Sequence, residues 1–322
     1  MARLLKVYFH DACFDGTTSA ALFAAFYRQV VDPQVVIEPI GMTHKDGNPF
    51  DNVALDADDH ACVDFRFCAD TRMRWWFDHH PTAFQPASLR AVFEREHLPT
   101  WFFDPRAPSC AGLIARALAG GDWGWRPPEY LADAVVWADK IDAAQFRSAE
   151  EAIALAVPAQ RLAAWLAHGR SPGETARYVE WLSHASLAEV EARPELRREL
   201  AEVEAERARE LEAVRRLGVW HGDVIVFDRF GEPGARSPGF LGYLLFPTCL
   251  YAVSATRTSS SIKISVGVNP WTAAVRRHDM GELCARYGGG GHAVVGGVTL
   301  RAEELDRARD TLARLVRELA SS

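Results

Sequence analysis

The stretch FDHHPTAF, residues 77–84, sets an Asp and two His in succession directly after the aromatic run RWW. The apolar run reads as a buried β-strand, so Asp78, His79 and His80 stand at its carboxyl end. Two other strand-like runs deliver similar residues. LLKVYFH ends on His10 with Asp15 close behind it, and CVDF carries Asp64. Carboxylate oxygen and imidazole nitrogen suit hard or borderline divalent ions such as Mn2+, Mg2+ or Zn2+. A site for two such ions needs a carboxylate to bridge them across roughly 3.5–4 Å. Asp64, alone on a central strand between His10 and Asp15 on one side in sequence and His79 on the other, is the natural bridge. Two ions held this way activate a water and clamp a phosphoryl group.

The elements that must position these residues are legible in the same stretch of chain. Residues 1–145 alternate short apolar strands (LLKVYFH, VVIEPI, ACVDF, RWWFDHH) with helices (the amphipathic GTTSAALFAAFYRQV and CAGLIARALAG). That alternation predicts a parallel α/β sheet, whose ligands sit outside the carboxyl ends of the strands. The His and Asp clusters fall at those ends. Trp75 and Trp76 are expected in the strand core. Residues 128–188 read as mainly helical. Beyond them RPELRRELAEVEAERARELEAVRRLG predicts one long helix between Pro194 and Gly218. Its Glu/Arg pairs and thin apolar stripe (Leu196, Leu200, Val203, Leu211, Val214) suggest a solvated linker.

Residues 219–322 start a second pattern of strands (DVIVFD, LYAVSATR, SIKISVGV, VVGGVTL) and helices (MGELCARY, AEELDRARDTLARLVRELA). Between them lies GGGGH, residues 288–292, where the glycines are expected to bring backbone N–H groups close to a ligand, not to serve packing. The expected organisation is α/β, with a domain over 1–188, a linker helix over 189–218 and a smaller α/β domain over 219–322.

Composition narrows the classes of function. The 322 residues are 48% hydrophobic and 25% charged, with a formal net charge of -7. The acidic balance argues against sequence-independent binding to long duplex nucleic acid, which needs a broad positive surface. No apolar run reaches the roughly 20 residues of a membrane span. The first residues read as a strand and not as a signal peptide. Six scattered cysteines without a CxxC pair fit a reduced, cytoplasmic protein. The other histidines (His44, His60, His97, His168, His184, His221, His278) show no partner pattern.

Taken in order, FDGTTSA, VDF, DHH and the distal GGGGH resemble the DHH phosphoesterase superfamily, in the branch with a glycine-rich associated C-terminal domain. The resemblance covers nearly the whole chain. It implies a metal-dependent hydrolase of phosphate esters with its active site in the inter-domain cleft. It implies two Mn2+ ions, with Mg2+, Co2+ or Zn2+ as alternatives. The implied substrates are short oligonucleotides or small nucleotides, as in oligoribonuclease and phosphoadenosine-phosphate phosphatase relatives; a homodimer is a further option. By position, Asp15 ligates one metal, Asp64 bridges, and His79 ligates. Asp78 is a ligand or supports one, and His80 contacts the scissile phosphate. A last carboxylate is expected from VVWADKIDAAQF, with Asp139 preferred and Asp142 the alternative. Gly289, Gly290, Gly291 and His292 hold the substrate's phosphate or terminal nucleotide.

Two departures stand out. In HDACFDG the family's first Asp is replaced by Cys13, and His10 lies one residue closer than usual. Cys13 is therefore a candidate ligand, with a shift towards zinc-like ions, and Asp11 is the alternative oxygen donor. In SIKISVGVNP the Ser-x-Arg arrangement of nucleic-acid-acting relatives becomes Ser265, Val266, Gly267, with Arg257 and Lys263 the nearby bases. These departures leave two other readings: a non-catalytic nucleotide- or phosphate-binding member, or a polyphosphate or pyrophosphate hydrolase, against which GGGGH argues.

Overall fold

The computed structural model describes residues 2–43, 47–51, 53–96 and 98–321. His44 and His97 lie outside the described residues. The chain divides into two compact units, one of residues 1–146 with 155–203, the other of 147–154 with 204–322.

In the first unit, strands β1 (Leu4–His10), β2 (Val36–Met42), β3 (Asp59–Val63), β4 (Trp75–Asp78) and β5 (Trp101–Phe103) form one sheet in the order β2-β1-β3-β4-β5. Every pairing in it is parallel. Side chains alternate across a strand, and here both faces are buried. Leu5, Val7, Phe9, Val63, Trp75 and Phe77 pack into one core, while Tyr8, Cys62, Trp76 and Trp101 pack into another. Two-sided burial is what makes these strands nearly continuous apolar runs. The short strand WFF, only three residues long, carries too little pattern to be read from sequence.

Helix α1 (Phe14–Phe26) follows β1 and continues into a π-helical turn, Tyr27–Val31. All 13 of its residues are buried, so it is not the amphipathic helix the sequence suggests. Ala and Phe dominate its length, and it is covered by α3 (Cys110–Ala119), α4 (Glu129–Asp142) and α7 (Pro172–Leu182). The remaining helices of this unit are α2 (Leu89–Glu96), α6 (Pro158–Ala167) and α8 (Leu187–Glu191), with α5 (Ala149–Ile153) belonging to the second unit.

Helix α9 runs Pro194–Leu217, as its proline and glycine predict, and Gly218 opens the next strand. Its apolar stripe is not solvated. Leu196, Leu200 and Val203 join the core of the first unit, and Val214 joins a core of the second. Spacing of three and four residues puts these side chains on one face, and that face is buried.

The second unit carries a six-stranded sheet in the order β10-β11-β9-β8-β7-β6, made of β6 (Gly218–His221), β7 (Val224–Arg229), β8 (Tyr251–Arg257), β9 (Ser261–Val268), β10 (Gly290–His292) and β11 (Val295–Arg301). Helices α10 (Phe240–Leu245), α11 (Met280–Ala285) and α12 (Leu305–Ala320) complete it. The glycine stretch is therefore an edge strand. A Cβ on Gly289 would lie 2.0 Å from the Gly297 carbonyl oxygen, and one on Gly291 would lie 2.3 Å from that of Val295. These two glycines do serve packing, contrary to the sequence expectation, because β10 lies so close to β11. A Cβ on Gly290 would meet nothing within 4 Å. Among the described residues no helix is long and apolar enough to cross a membrane.

Candidate metal centre

In a sheet ordered β2-β1-β3-β4-β5 the direction of winding reverses between β1 and β3, which opens a crevice at their carboxyl ends. The polar residues singled out in the sequence converge there. His10 ends β1, Asp64 follows β3, Asp78 ends β4 with His79 and His80 behind it, and Asp15 lies in the first turn of α1. Two turns bring them in. Ala12 and Asp64 both have positive φ, 54° and 55°, a conformation that L-residues other than Gly adopt at some cost. Gly16 is required beside them, since a Cβ there would sit 2.1 Å from the His10 carbonyl oxygen.

Asp64 lies at the centre. Its side chain is 1% exposed, and neither carboxylate oxygen has a hydrogen-bond partner. Around it stand His10 Nδ1 at 3.4 Å, His79 Nε2 at 3.6 Å and His80 Nδ1 at 3.7 Å. His79 donates its Nδ1–H to the Ala107 carbonyl at 2.9 Å. In the neutral ring that bond places the lone pair on Nε2, which points among Asp15 (3.6 Å), Asp64 (3.6 Å) and Asp142 (3.3 Å). A lone pair and three carboxylates repel one another unless a cation lies between them, and a ring nitrogen fixed by a hydrogen bond on its far side is the usual setting of a metal-binding His. Nε2 of His79 and Oδ2 of Asp78 are buried without a hydrogen-bond partner as well.

Three overlapping groups here could hold a metal: His10, Cys13 and Asp64; Asp64, His79 and His80; and Asp15, His79 and Asp142. Asp64 and His79 are each shared by two groups. This donor set of carboxylates and imidazoles, with buried oxygens that nothing else satisfies, fits a pair of divalent ions.

The electrostatics of the metal-free cluster point the same way. Burial raises the Asp64 carboxyl well above the usual carboxylate range, with Asp15, Asp78 and Asp142 adding to the effect. Burial also raises Asp15, against the hydrogen bonds it accepts from the Cys110 and Ala111 N–H groups at 2.7 and 2.9 Å. Asp142 is raised to about 6 by burial and by Asp15. The Cys13 thiol is raised by burial and by the charges of Asp64 and Asp15. For His80, burial disfavours the imidazolium, but the hydrogen bond to Asp78 at 2.8 Å and the nearby carboxylates prevail and raise it.

Asp78 sits behind this cluster. Its Oδ1 accepts from the N–H groups of His79 and His80 and from His80 Nδ1, so it holds the backbone of both His and the ring of His80, and belongs to none of the three groups. Asp139, the expected last carboxylate, is turned elsewhere. It accepts from Ser109 Oγ at 2.6 Å, and a Cβ on Gly112 would lie 2.2 Å from it. Its role is to join α4 to the start of α3. Asp142, three residues further along α4, is the one that reaches His79. Asp11 does not replace Cys13 either: its carboxylate lies over Gly41, where a Cβ would be 2.6 Å from Oδ2.

Gly289, Gly290, Gly291 and His292 belong to the second unit. There, Gly267 stands in place of the expected Arg for a physical reason. The Tyr243 hydroxyl lies 2.4 Å from where its Cβ would be. Arg257 donates to the Ala302 carbonyl, and Trp271 packs on Phe240 and Tyr243 as a loop anchor.

A parallel sheet with DHH at a strand end, opposed by Asp and His from its neighbours, defines a class: the chain has the fold of the DHH phosphoesterase superfamily. Among solved structures, the pGpG-specific phosphodiesterase PggH from Vibrio cholerae aligns over 99% of this chain and 100% of its own, with 20% identity and a TM-score of 0.68. RecJ from Thermus thermophilus in complex with Mn2+ aligns over 98% of this chain and 52% of its own, at 14% identity and TM-score 0.58. A manganese-bound exonuclease RecJ aligns over 98% of this chain and 91% of its own, at 14% identity and TM-score 0.53. No protein-family model and no curated protein sequence matches the chain.

Proposed function

We propose that this protein is a divalent-metal-dependent phosphoesterase that hydrolyses phosphodiester or phosphomonoester bonds of short oligonucleotides or small nucleotides. The observation that carries this reading is Asp64, a fully buried carboxylate with both oxygens unpartnered, set among His10, His79 and His80. A carboxylate left so costs several kcal/mol unless a cation satisfies it. The similarity to manganese-bound RecJ structures supports Mn2+ as the ion, and the similarity to PggH supports a linear dinucleotide as the first substrate to test.

Asp15, His79 and Asp142 would hold one ion, His10 and Cys13 the other, with Asp64 between them. When bound, the two ions supply an activated water and neutralise charge on the phosphoryl oxygens. The chain's own groups do the rest. Ala107 keeps the His79 lone pair aimed inward. Asp78 holds the half-buried His80 by Nδ1, which leaves Nε2 to donate a hydrogen bond to a phosphoryl oxygen. His80 is raised towards the imidazolium form, the form that donates from both nitrogens. In the second unit, Gly290 and His292 are proposed to hold the substrate's phosphate or terminal nucleotide, since Gly290 is open where its glycine neighbours are packed.

The test is hydrolysis of pGpG, pApA and bis-p-nitrophenyl phosphate by the full chain with Mn2+. Turnover is expected with Mn2+, none after chelation, and a loss of at least about 100-fold in Asp64→Asn. A metal-replete protein that binds dinucleotide without turning it over would instead be a nucleotide-binding member of the fold.

A further inference from the structure

We propose that the two metal positions are chemically unlike: the one formed by His10, Cys13 and Asp64 takes a thiolate-preferring ion of the zinc or cobalt kind, while the one formed by Asp15, His79 and Asp142 takes a hard ion such as Mn2+. The inference rests on the two-metal reading above and concerns which ion each position selects.

The sulfur's placement is set by the turn between β1 and α1. His10 ends the strand, Ala12 reverses the chain with φ 54°, and Cys13 is the N-cap of the following 13-residue helix. The reversal brings the ligand atoms of His10, Cys13 and Asp64 within 4.8 Å of one another. Asp11, the other acidic side chain of this turn, is held over Gly41 and donates no oxygen to the group. Sulfur is thus the third donor by elimination within the turn. Asp64 supplies the independent sign that a cation belongs here, being buried, aimed into the group and without a partner on either oxygen.

Thiolate with imidazole and carboxylate selects Zn2+ or Co2+ over Mn2+, whereas two carboxylates and an imidazole accept Mn2+ well. Asp64, lying between the groups, imposes no preference. Binding at the sulfur position displaces the thiol proton to solvent, so one proton is released per ion bound there.

Cys13 is half-buried where the other five cysteines are buried, which makes its reactivity a second readout. The experiment is a titration of the chelated full-length protein with Co2+, followed by near-ultraviolet absorption and metal counting. A sulfur-to-cobalt charge-transfer band is expected in the wild type and absent from Cys13→Asp, which still binds two ions. Cys13→Asp should also weaken Zn2+ at this position by at least about tenfold and, given Zn2+ and Mn2+ together, hold two Mn2+ where the wild type holds one of each. Zn2+ should protect Cys13 of the wild type from alkylation by iodoacetamide. Two Co2+ bound without a sulfur band, or alkylation unaffected by Zn2+, overturns the inference and leaves the two-metal reading standing. Fewer than two ions bound overturns both.

Discussion

Two aspartates three residues apart on α4 carry a choice that chemistry alone could not make. Asp139 and Asp142 are the same residue type, both near the end of the helix, and the sequence context favoured Asp139. The helix turns Asp139 towards Ser109 and Asp142 towards His79. Asp142→Ala should therefore lower Mn2+ affinity by at least roughly 10–100-fold, the range that loss of an outer-shell partner already costs, with the melting temperature of the metal-free protein at pH 7 unchanged or raised. Asp139→Ala should leave metal binding intact and cost about 1 kcal/mol of stability, the net worth of one hydrogen bond. Isothermal titration and thermal denaturation of both variants separate these outcomes, and the reverse assignment would remove Asp142 from the site. The two histidines of DHH divide their work in a similar way. His79 and His80 are neighbours of identical chemistry, yet a carbonyl fixes one and a carboxylate the other, so one turns its lone pair inward and the other keeps a nitrogen free.

At the scale of elements, the glycine-rich edge β10 shows how close packing can dictate a glycine motif. Helix α11 presses against it so closely that a Cβ on Gly281 would lie 2.6 Å from the Gly291 carbonyl oxygen and 3.2 Å from the His292 nitrogen. Replacing a helical Gly by Ala ordinarily gains up to about 1 kcal/mol. Here the added methyl meets backbone atoms that cannot swing aside, and overpacking of this kind costs about 1–3 kcal/mol. Gly281→Ala should lower the melting temperature, whereas Gly173→Ala, at the same place in the first turn of α7 with open space around it, should leave it unchanged or raise it. Equal effects from the two substitutions would contradict the close approach. The first unit makes the complementary point: β1, β3 and β4 are rigid because both of their faces are buried, and rigid strand ends are what a metal cluster requires.

For the whole molecule, the cluster trades stability for a binding site. In the metal-free protein Asp142 is raised to about 6, Asp15 and Asp64 are raised, and His80 is raised. Each of these groups binds more protons folded than unfolded, so their combined contribution to stability is lost as pH rises, for Asp142 between about pH 4 and pH 6. The chelated protein should accordingly melt at a lower temperature at pH 7 than at pH 5. Mn2+ should reverse this trend by binding the deprotonated cluster, adding about 2.7 kcal/mol at a concentration one hundred times its dissociation constant. A melting temperature that rises from pH 5 to pH 7 without metal would mean that these carboxylates are not held together as described.

Much of this protein is legible along its chain. Short apolar runs mark the main strands, Pro194 and Gly218 bracket α9, and the order of DHH, VDF and GGGGH points to the fold, because each depends on local spacing. Short elements such as β5 and β10 carry too few residues to show a period. Which neighbour faces inward was decided only by tertiary structure. Helix phase chose Asp142 over Asp139, a positive φ at Ala12 brought Cys13 to Asp64, and the nearness of β11 turned Gly289 and Gly291 to packing. The residue types determine what chemistry is available, but two atoms meet only when elements far apart in sequence are packed at fixed distances, and that packing is a property of the whole fold.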